Sequence, residues 1–376
     1  MKQSPPGNTG SRSLGLVTCG SVGWKTVRSR WEADLAETSA SVQHIESHFR
    51  TLTDATERFG AKSIGHALSG RGAANAAIAQ GAKVILMSTL QNAPLVPLRK
   101  DVTYLIYGDC TTHQLAALYG GKRVGFPGAL INKRIQALAD HGVIFLCMSD
   151  WYRRALRAEF DIPEEQLVPL PFYVDTDRWR PRDAAREGER ARVLFLGADL
   201  ARKGGDIVYQ LAARPEFAHV DFHVVSPNAG PGPANLVVHA GLRPESDALV
   251  ALVRSCDLLL LPTRADTSSL AALEAAACGV PAIITGLGGI PEIVLDGVSG
   301  KVLAAAEIEP FAAALSAYLS NPALIAAHGR AARLRVERLF SRFHHFETLR
   351  RALAKAAAKW PADTAPAAVG AAVISV

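Results

Sequence analysis

Short apolar runs alternate with helical patterns along most of this chain, and that alternation limits the fold more than any other feature. Strand-like runs separated by helix-length stretches argue for parallel sheets covered by helices. In the first half the runs are 14–18, 62–67, 82–88, 102–107, 142–148 and 167–169. Helical patterns cover 28–59, with a break expected, 71–80 and 151–159. A charged, proline-punctuated segment, 175–192, then interrupts the series and reads as a crossover. A second series follows, with strands expected at 192–196, 221–226, 236–239, 258–262 and 282–285, and helices at 206–213, 246–255 and 269–277. After Leu303 the pattern is helical to Trp360. At 376 residues the chain exceeds one ordinary core. The expected architecture is α/β: two Rossmann-like, doubly wound parallel-sheet domains facing across a cleft, the usual place for a ligand. The expected division is a flexible N-terminus at 1–13, a first domain at 14–180, a linker at 181–191, a second domain at 192–340, a helix crossing back at 341–360 and a disordered tail at 361–376.

Composition removes several function classes. Hydrophobic residues at 49% and charged residues at 20% describe a globular chain. The net charge of +6 is modest and dispersed, and no arginine-rich helix or aromatic–basic ladder points to nucleic acid. Basic pairs at Arg99-Lys100, Lys122-Arg123, Lys133-Arg134 and Arg153-Arg154 read as solvated faces, and they allow weak contact with an anionic membrane. No apolar run reaches the length of a membrane span, and residues 1–13 lack the apolar core of a signal peptide. The five cysteines, 19, 110, 147, 256 and 278, include no close pair and fit reduced thiols. The expected location is cytoplasmic, with the inner membrane face as an option.

The stretch Gly15–Thr26, GLVTCGSVGWKT, carries a glycine turn and a Lys-Thr pair after the first strand. A phosphate-binding P-loop needs its second glycine next to the lysine, and here Trp24 separates Gly23 from Lys25. The loop therefore reads as a turn where backbone passes close to a ligand at a strand end.

Three constellations carry chemistry. The first is Phe195–Asp206, where a strand ends at Gly197, and Arg202, Lys203, Gly204 and Gly205 precede a helix. Two cations beside a helix N-terminus read either as a solvated pair before an N-cap or, favoured by the adjacent glycines, as an anion site suited to phosphate. The second is Asp257–Pro281, where an apolar strand runs into a polar loop and an alanine-rich helix closed by Gly279 and Pro281. Asp266 sits in the loop and Glu274 two turns into the helix, roughly 8–10 Å from its start. The amides of Ser268, Ser269 and Leu270 lie between the two carboxylates as donors for an anion or a hydroxyl. The third is Tyr107–His113, at another strand end. Asp109 there either binds a ligand hydroxyl or caps the next helix, and His113 could reach the same ligand. Cys110 has no base assignable from sequence and reads as a structural thiol.

These residues resemble the retaining, family 4 type of glycosyltransferase, which has the two-Rossmann GT-B fold. Val143–Pro181 resembles that family's end of the first domain and crossover, LGADLARKGG at 196–205 its phosphate-binding turn, and Cys256–Gly300 its signature of two carboxylates separated by seven residues. The resemblance implies transfer of a sugar from a nucleotide-diphosphate donor to a hydroxyl, with retention and no metal or other cofactor. It implies that Lys203, helped by Arg202 and the turn at Gly197, holds the diphosphate, and that Glu274 binds the ribose hydroxyls. Asp266 would stand near the donor sugar. The amides of Ser268, Ser269 and Leu270 would contact sugar and phosphate. Gly241 and Leu242 would face the base, and Gly20, Ser21 and Gly23 would approach donor and acceptor. Trp24 and Lys25 would lie near the acceptor or lock that loop. Two departures stand out: Ala198 occupies a position that is often Arg, and Asp266 replaces the usual Glu. The acceptor implied is a glycan, a lipid-linked molecule or a small molecule. Alternatives on the same fold are a sugar-nucleotide epimerase, a phosphorylase and a non-catalytic nucleotide-sugar sensor.

Three decoys are set aside. Asp175-Thr176-Asp177 looks like a metal-binding Asp-x-Asp but falls in the crossover. His44 and His48 at helical spacing lack the correctly placed Glu of a zinc-protease motif and read as a solvated helix face. His344-His345 reads as a surface pair.

Overall fold

The computed structural model describes residues 14–18, 30–31, 42–46, 62–120, 126–183 and 190–357. The chain forms two compact units, each with its own apolar core. The first contains strands β1 (Leu14–Thr18), β2 (Val42–Glu46), β3 (Val84–Ser88), β4 (Thr103–Gly108), β5 (Ile144–Cys147) and β6 (Leu167–Pro169). Its helices are α1 (Lys62–Ala79), α2 (Thr112–Leu118), α3 (Phe126–Asp140) and α4 (Asp150–Phe160). The strands are parallel in the order β2-β1-β3-β4-β5-β6. The second unit contains β7 (Arg192–Leu196), β8 (Asp221–Val225), β9 (Leu236–Val238), β10 (Leu258–Leu261), β11 (Ala282–Thr285) and β12 (Gly300–Leu303). Its helices are α5 (Gly205–Ala212), α6 (Asp247–Ser255), α7 (Leu270–Ala277), α8 (Ile290–Ile293), α9 (Ile308–Leu319) and α10 (Pro322–Leu339). These strands are also parallel, in the order β12-β11-β10-β7-β8-β9. A final helix, α11 (Arg342–Ala357), begins in the second unit, and from Phe346 onward it groups with the first, where Lys355 donates to the Glu165 carbonyl.

Both sheets are doubly wound. In the second, the chain steps outward from β7 to β8 and β9, then returns to lay β10 on the other side of β7. The reversal opens a crevice beyond the carboxyl ends of β7 and β10, where open α/β sheets bind ligands. The strands bordering it are almost uniformly buried: β10 is Leu-Leu-Leu-Leu, closed on both faces as a central parallel strand requires.

Several sequence expectations change. Residues 62–67 form the start of α1, not a strand, and Ala73, Ala74 and Ala77 bury one face of that helix. A run of six residues is too short for periodicity to separate strand from helix. The helix expected over 28–59 gives way to β2 at Val42–Glu46, whose backbone pairs with β1 from Leu14↔Val42 to Thr18↔Glu46. His44 therefore lies on a strand, while His48 lies outside the described residues. β12 was not expected. Gly300 lets it close on β11, since a Cβ there would stand 2.4 Å from the Ala282 carbonyl oxygen.

Apart from the short segment Ala117–Gly121, the second unit runs from Pro171 to His345, so it takes in residues ahead of the expected linker at 181–191. Val174 and Trp179 are fully buried in its core, and Val174 N–H donates to the Phe340 carbonyl at 2.9 Å. Arg333 on α10 donates to the carbonyls of Thr176, Trp179 and Ala277. Asp175 accepts from the amides of Asp177 and Arg178, so the Asp-x-Asp decoy is turn chemistry. Among the basic pairs, Arg99, Arg153 and Arg154 are ion-paired to nearby aspartates. Among the described residues, no single helix is long and apolar enough to cross a membrane.

His345, expected at the surface, is buried against Tyr173 and donates from Nδ1 to the Pro171 carbonyl at 2.8 Å. Burial lowers its pKa to about 3. A histidine in the unfolded chain titrates at about 6.5. As pH falls, the unfolded state takes up this proton first, so stability is full above about pH 6.5 and declines toward pH 3. His345→Gln keeps a donor but cannot titrate. Denaturant midpoints of the Gln variant are expected to fall less steeply than wild type between pH 6.5 and 4; parallel curves would show that His345 is not the titrating group.

Candidate active site in the second unit

The turn after β7 is shaped by close approaches. Gly197 N–H continues the ladder to the Val225 carbonyl, and a Cβ on Gly197 would stand 2.9 Å from Cβ and Cγ of Lys203. The lysine stem thus lies across the glycine. Gly204 has φ +78°, and a Cβ there would fall 1.9 Å from the Pro262 carbonyl oxygen. Only glycine lets the turn press this closely on the turn after β10. α5 starts immediately afterwards, with its N-terminal partial positive charge at the same end of the sheet.

The turn after β10 presents Asp266 to Lys203. The Lys203 ammonium is ion-paired to Asp266 Oδ2, with the two side chains only 13% and 11% exposed. Ser269 caps α7, its Oγ accepting from Ala272 N–H at 3.2 Å. The amides of Leu270 and Ala271, in the first turn, have no acceptor within the helix. Glu274 follows in the second turn of α7 and is buried, 6% exposed, on a helix that is otherwise mostly alanine. α7 starts at Leu270, so Glu274 stands nearer the helix start than the sequence pattern placed it. A third turn, after β11, braces the second: Gly289 N–H donates to the Thr267 carbonyl at 2.8 Å, and Gly288, at φ +56°, packs on the carbonyls of Asp266 and Thr267.

Gly197, Arg202 and Lys203 therefore lie on the turn after β7, and Asp266, Ser268, Ser269, Leu270 and Glu274 on the turn after β10 and the helix that follows it; Lys203 and Asp266 are the two that meet. Arg202 differs from Lys203 in where its head lies. Its Nη1 donates to the Ala265 carbonyl at 2.7 Å and its Nε to Asp199, so part of its donor set braces the loops. Gly241 and Leu242 follow β9, two strands along the sheet from β7; a Cβ on Gly241 would meet nothing within 4 Å, and Leu242 packs on the core. Asp109 and His113 belong to the first unit. The cap of α2 is Thr111, in a reciprocal pair with Gln114: Thr111 Oγ1 accepts from Gln114 N–H and Gln114 Oε1 from Thr111 N–H. His113 Nδ1 lies 2.8 Å from Glu159 Oε2, while Glu159 Oε1 accepts from Thr111 Oγ1. Gly20, Ser21, Gly23, Trp24 and Lys25 lie outside the described residues. Burial raises the pKa of Cys110 well above the usual thiol value, reinforced by Asp109, and pushes Cys278 up to about 12. Both stay protonated, unlike a nucleophilic thiolate.

Sequence reasoning missed Arg264, Asp206 and the Gly286–Gly289 turn. The signals were a cation inside the second polar loop, an acid in the first turn of the helix after Gly205, and a glycine run directly after a strand.

Solved structures place the architecture. Sucrose-phosphate synthase from Thermosynechococcus elongatus matches with a TM-score of 0.69 at 15% identity, covering 91% of this chain and 99% of that one. Anabaena HepE in complex with UDP matches with a TM-score of 0.67 at 13% identity, covering 92% and 100%. WaaG, a glycosyltransferase involved in lipopolysaccharide biosynthesis, matches with a TM-score of 0.64 at 16% identity, covering 87% and 95%. The two doubly wound units are those of the GT-B fold. Residues 190–321, within the second unit, match the family model described as Glycosyl transferases group 1. Curated relatives are similar to part of the chain. D-inositol 3-phosphate glycosyltransferase of Arthrobacter sp. (strain FB24) is 29% identical over 201 residues, 48% of this chain and 47% of that protein. GDP-mannose-dependent alpha-(1-6)-phosphatidylinositol monomannoside mannosyltransferase of Mycolicibacterium smegmatis (strain ATCC 700084 / mc(2)155) is 31% identical over 211 residues, 48% of this chain and 54% of that protein. The chain spans about half the length of the curated relatives it matches.

Proposed function

We propose that this protein is a glycosyltransferase that moves a sugar from a nucleotide-diphosphate donor to an acceptor hydroxyl, with retention of anomeric configuration. The observation that carries the reading is the meeting of Lys203 and Asp266 at the β7/β10 crevice, beside the starts of α5 and α7. Breaking the bond from the anomeric carbon to the diphosphate oxygen leaves positive charge on the sugar and new negative charge on the phosphate. Lys203 and the helix-start amides are suited to the departing diphosphate, and groups fixed in advance at such a point often supply the largest catalytic effect. Asp266, beside Lys203, is suited to sugar hydroxyls, and buried Glu274 to the ribose. The acceptor oxygen attacks on the face the leaving group departs, its proton passing to the departing diphosphate oxygen, and no enzymatic nucleophile is invoked. Positive charge for the leaving group comes from the protein, so the scheme calls on no metal ion. The relatives' names point to sugar donors and hydroxyl-rich acceptors; here the acceptor is proposed only as a glycan, a lipid-linked molecule or a small molecule.

The test is a thermal-shift panel of nucleoside diphosphates and their sugar conjugates, run in the presence of a chelator. At least one base is expected to raise the melting temperature, and Glu274→Gln is expected to abolish that rise while the unliganded variant still unfolds cooperatively. An unchanged rise in the variant would remove Glu274 from the site, and a rise that requires a divalent ion would refute the metal-free scheme.

A further inference from the structure

Lys203 and Asp266 come from turns that share no secondary structure, so something must hold those turns in register. We infer that Arg264, acting through Asp206, is the positioning residue that fixes Lys203 at the diphosphate site; the inference rests on the reading of Lys203 above. Arg264 grips Asp206, in the first turn of α5, with both ends of its guanidinium: Nη1 to Oδ1 at 2.6 Å and Nη2 to Oδ2 at 2.7 Å. Its Nη1 also donates to the Ala201 carbonyl at 2.8 Å, and its backbone N–H to the Arg202 carbonyl at 2.9 Å. Arg202 returns the contact, donating from Nη1 to the Ala265 carbonyl. Each arginine thus bonds the backbone of the opposite turn. Ala201 and Arg202 immediately precede Lys203, and Arg264 and Ala265 immediately precede Asp266, so these bonds flank the ion pair on both strands of chain.

The physical character of the pair fits positioning more than bulk stability. Arg264 and Asp206 are 43% and 49% exposed, and solvent-screened pairs contribute little to folding. Direction is what they supply. A planar guanidinium can hold a carboxylate at two points and a carbonyl at a third, which a lysine ammonium on a flexible stem cannot reproduce. Arg264 also holds the Asp206 carboxyl below the usual range, so the link persists throughout the neutral pH region.

The experiment is a double-mutant cycle read by calorimetric binding of uridine, guanosine and adenosine diphosphates. Arg264→Ala and Asp206→Asn are each expected to weaken the best-bound diphosphate by about 10-fold, since misplacing a contact group by about 1 Å has effects of this order or larger. Arg264→Lys should recover only part of the loss, and unfolding midpoints should hardly move. In a Lys203→Ala background, adding Arg264→Ala should cost nothing further, because its effect passes through the lysine. Losses that multiply would overturn the inference, as would wild-type affinity in both Arg264→Ala and Asp206→Asn. Should Arg264→Ala fail to fold, the near-isosteric Asp206→Asn carries the same cycle. Wild-type affinity in Lys203→Ala, or no binding of any of the three by the native protein, would overturn the site reading and the inference with it.

Discussion

Replacing Lys203 by alanine is expected to lower the rate of sugar transfer by about 10²-fold or more, the usual effect of removing one preorganised group that meets charge formed in the transition state. The substitution has a second consequence. Asp266 is nearly buried against the lysine, and removing one partner of such a pair leaves a carboxylate without its counter-charge. That loss typically costs about 3–5 kcal/mol when the pair is deeply buried, and less at this residual exposure. The two effects separate in Lys203→Met/Asp266→Asn, which removes both charges. Its denaturation midpoint is expected to recover toward wild type, while single-turnover transfer stays low. Recovery of turnover along with stability would mean that Lys203 serves the fold and not the leaving group.

Gly204→Ala is expected to be the most damaging single change in the turn. Its φ of +78° costs a residue with a Cβ about 1–2 kcal/mol, and the added carbon would sit 1.9 Å from the Pro262 carbonyl oxygen. Backbone on both sides has to yield, because Pro262 follows the buried strand β10 directly. A total loss of about 3 kcal/mol or more is expected from strain at one special position. The neighbouring Lys203 moves with the turn, so diphosphate affinity should fall in parallel. Gly241→Ala is the matched control: nothing lies within 4 Å of the added carbon, and its unfolding midpoint should stay near wild type. Equal midpoints for Gly204→Ala and wild type in equilibrium denaturation would show that the two turns do not press together as described.

Much of the second unit is legible in the sequence. β7 and β11 match their expected bounds, and β8, β9 and β10 fall within a residue of theirs, because each is an apolar run bounded by polar or turn residues. The first unit was harder to read. α1 is built from alanine and glycine with little contrast between its faces, and β2 gains its partners only by lying beside β1. Trp179 shows the same limit: its segment looks like a polar linker, yet the ring is fully buried in the second core, and Arg333, far along the chain, satisfies the carbonyls of Thr176 and Trp179.

The sequence by itself determined the parallel α/β alternation, the glycine-and-cation turn after β7 and the paired carboxylates after β10, since each depends on side chains within one short segment. Tertiary structure decided that the two turns meet. The chain reverses after β9 and inserts β10 beside β7, which brings Lys203 to Asp266 across 63 residues and lets Arg264 grip Asp206. Strand order follows from which apolar faces pack together over the whole sheet, and no local periodicity encodes that choice.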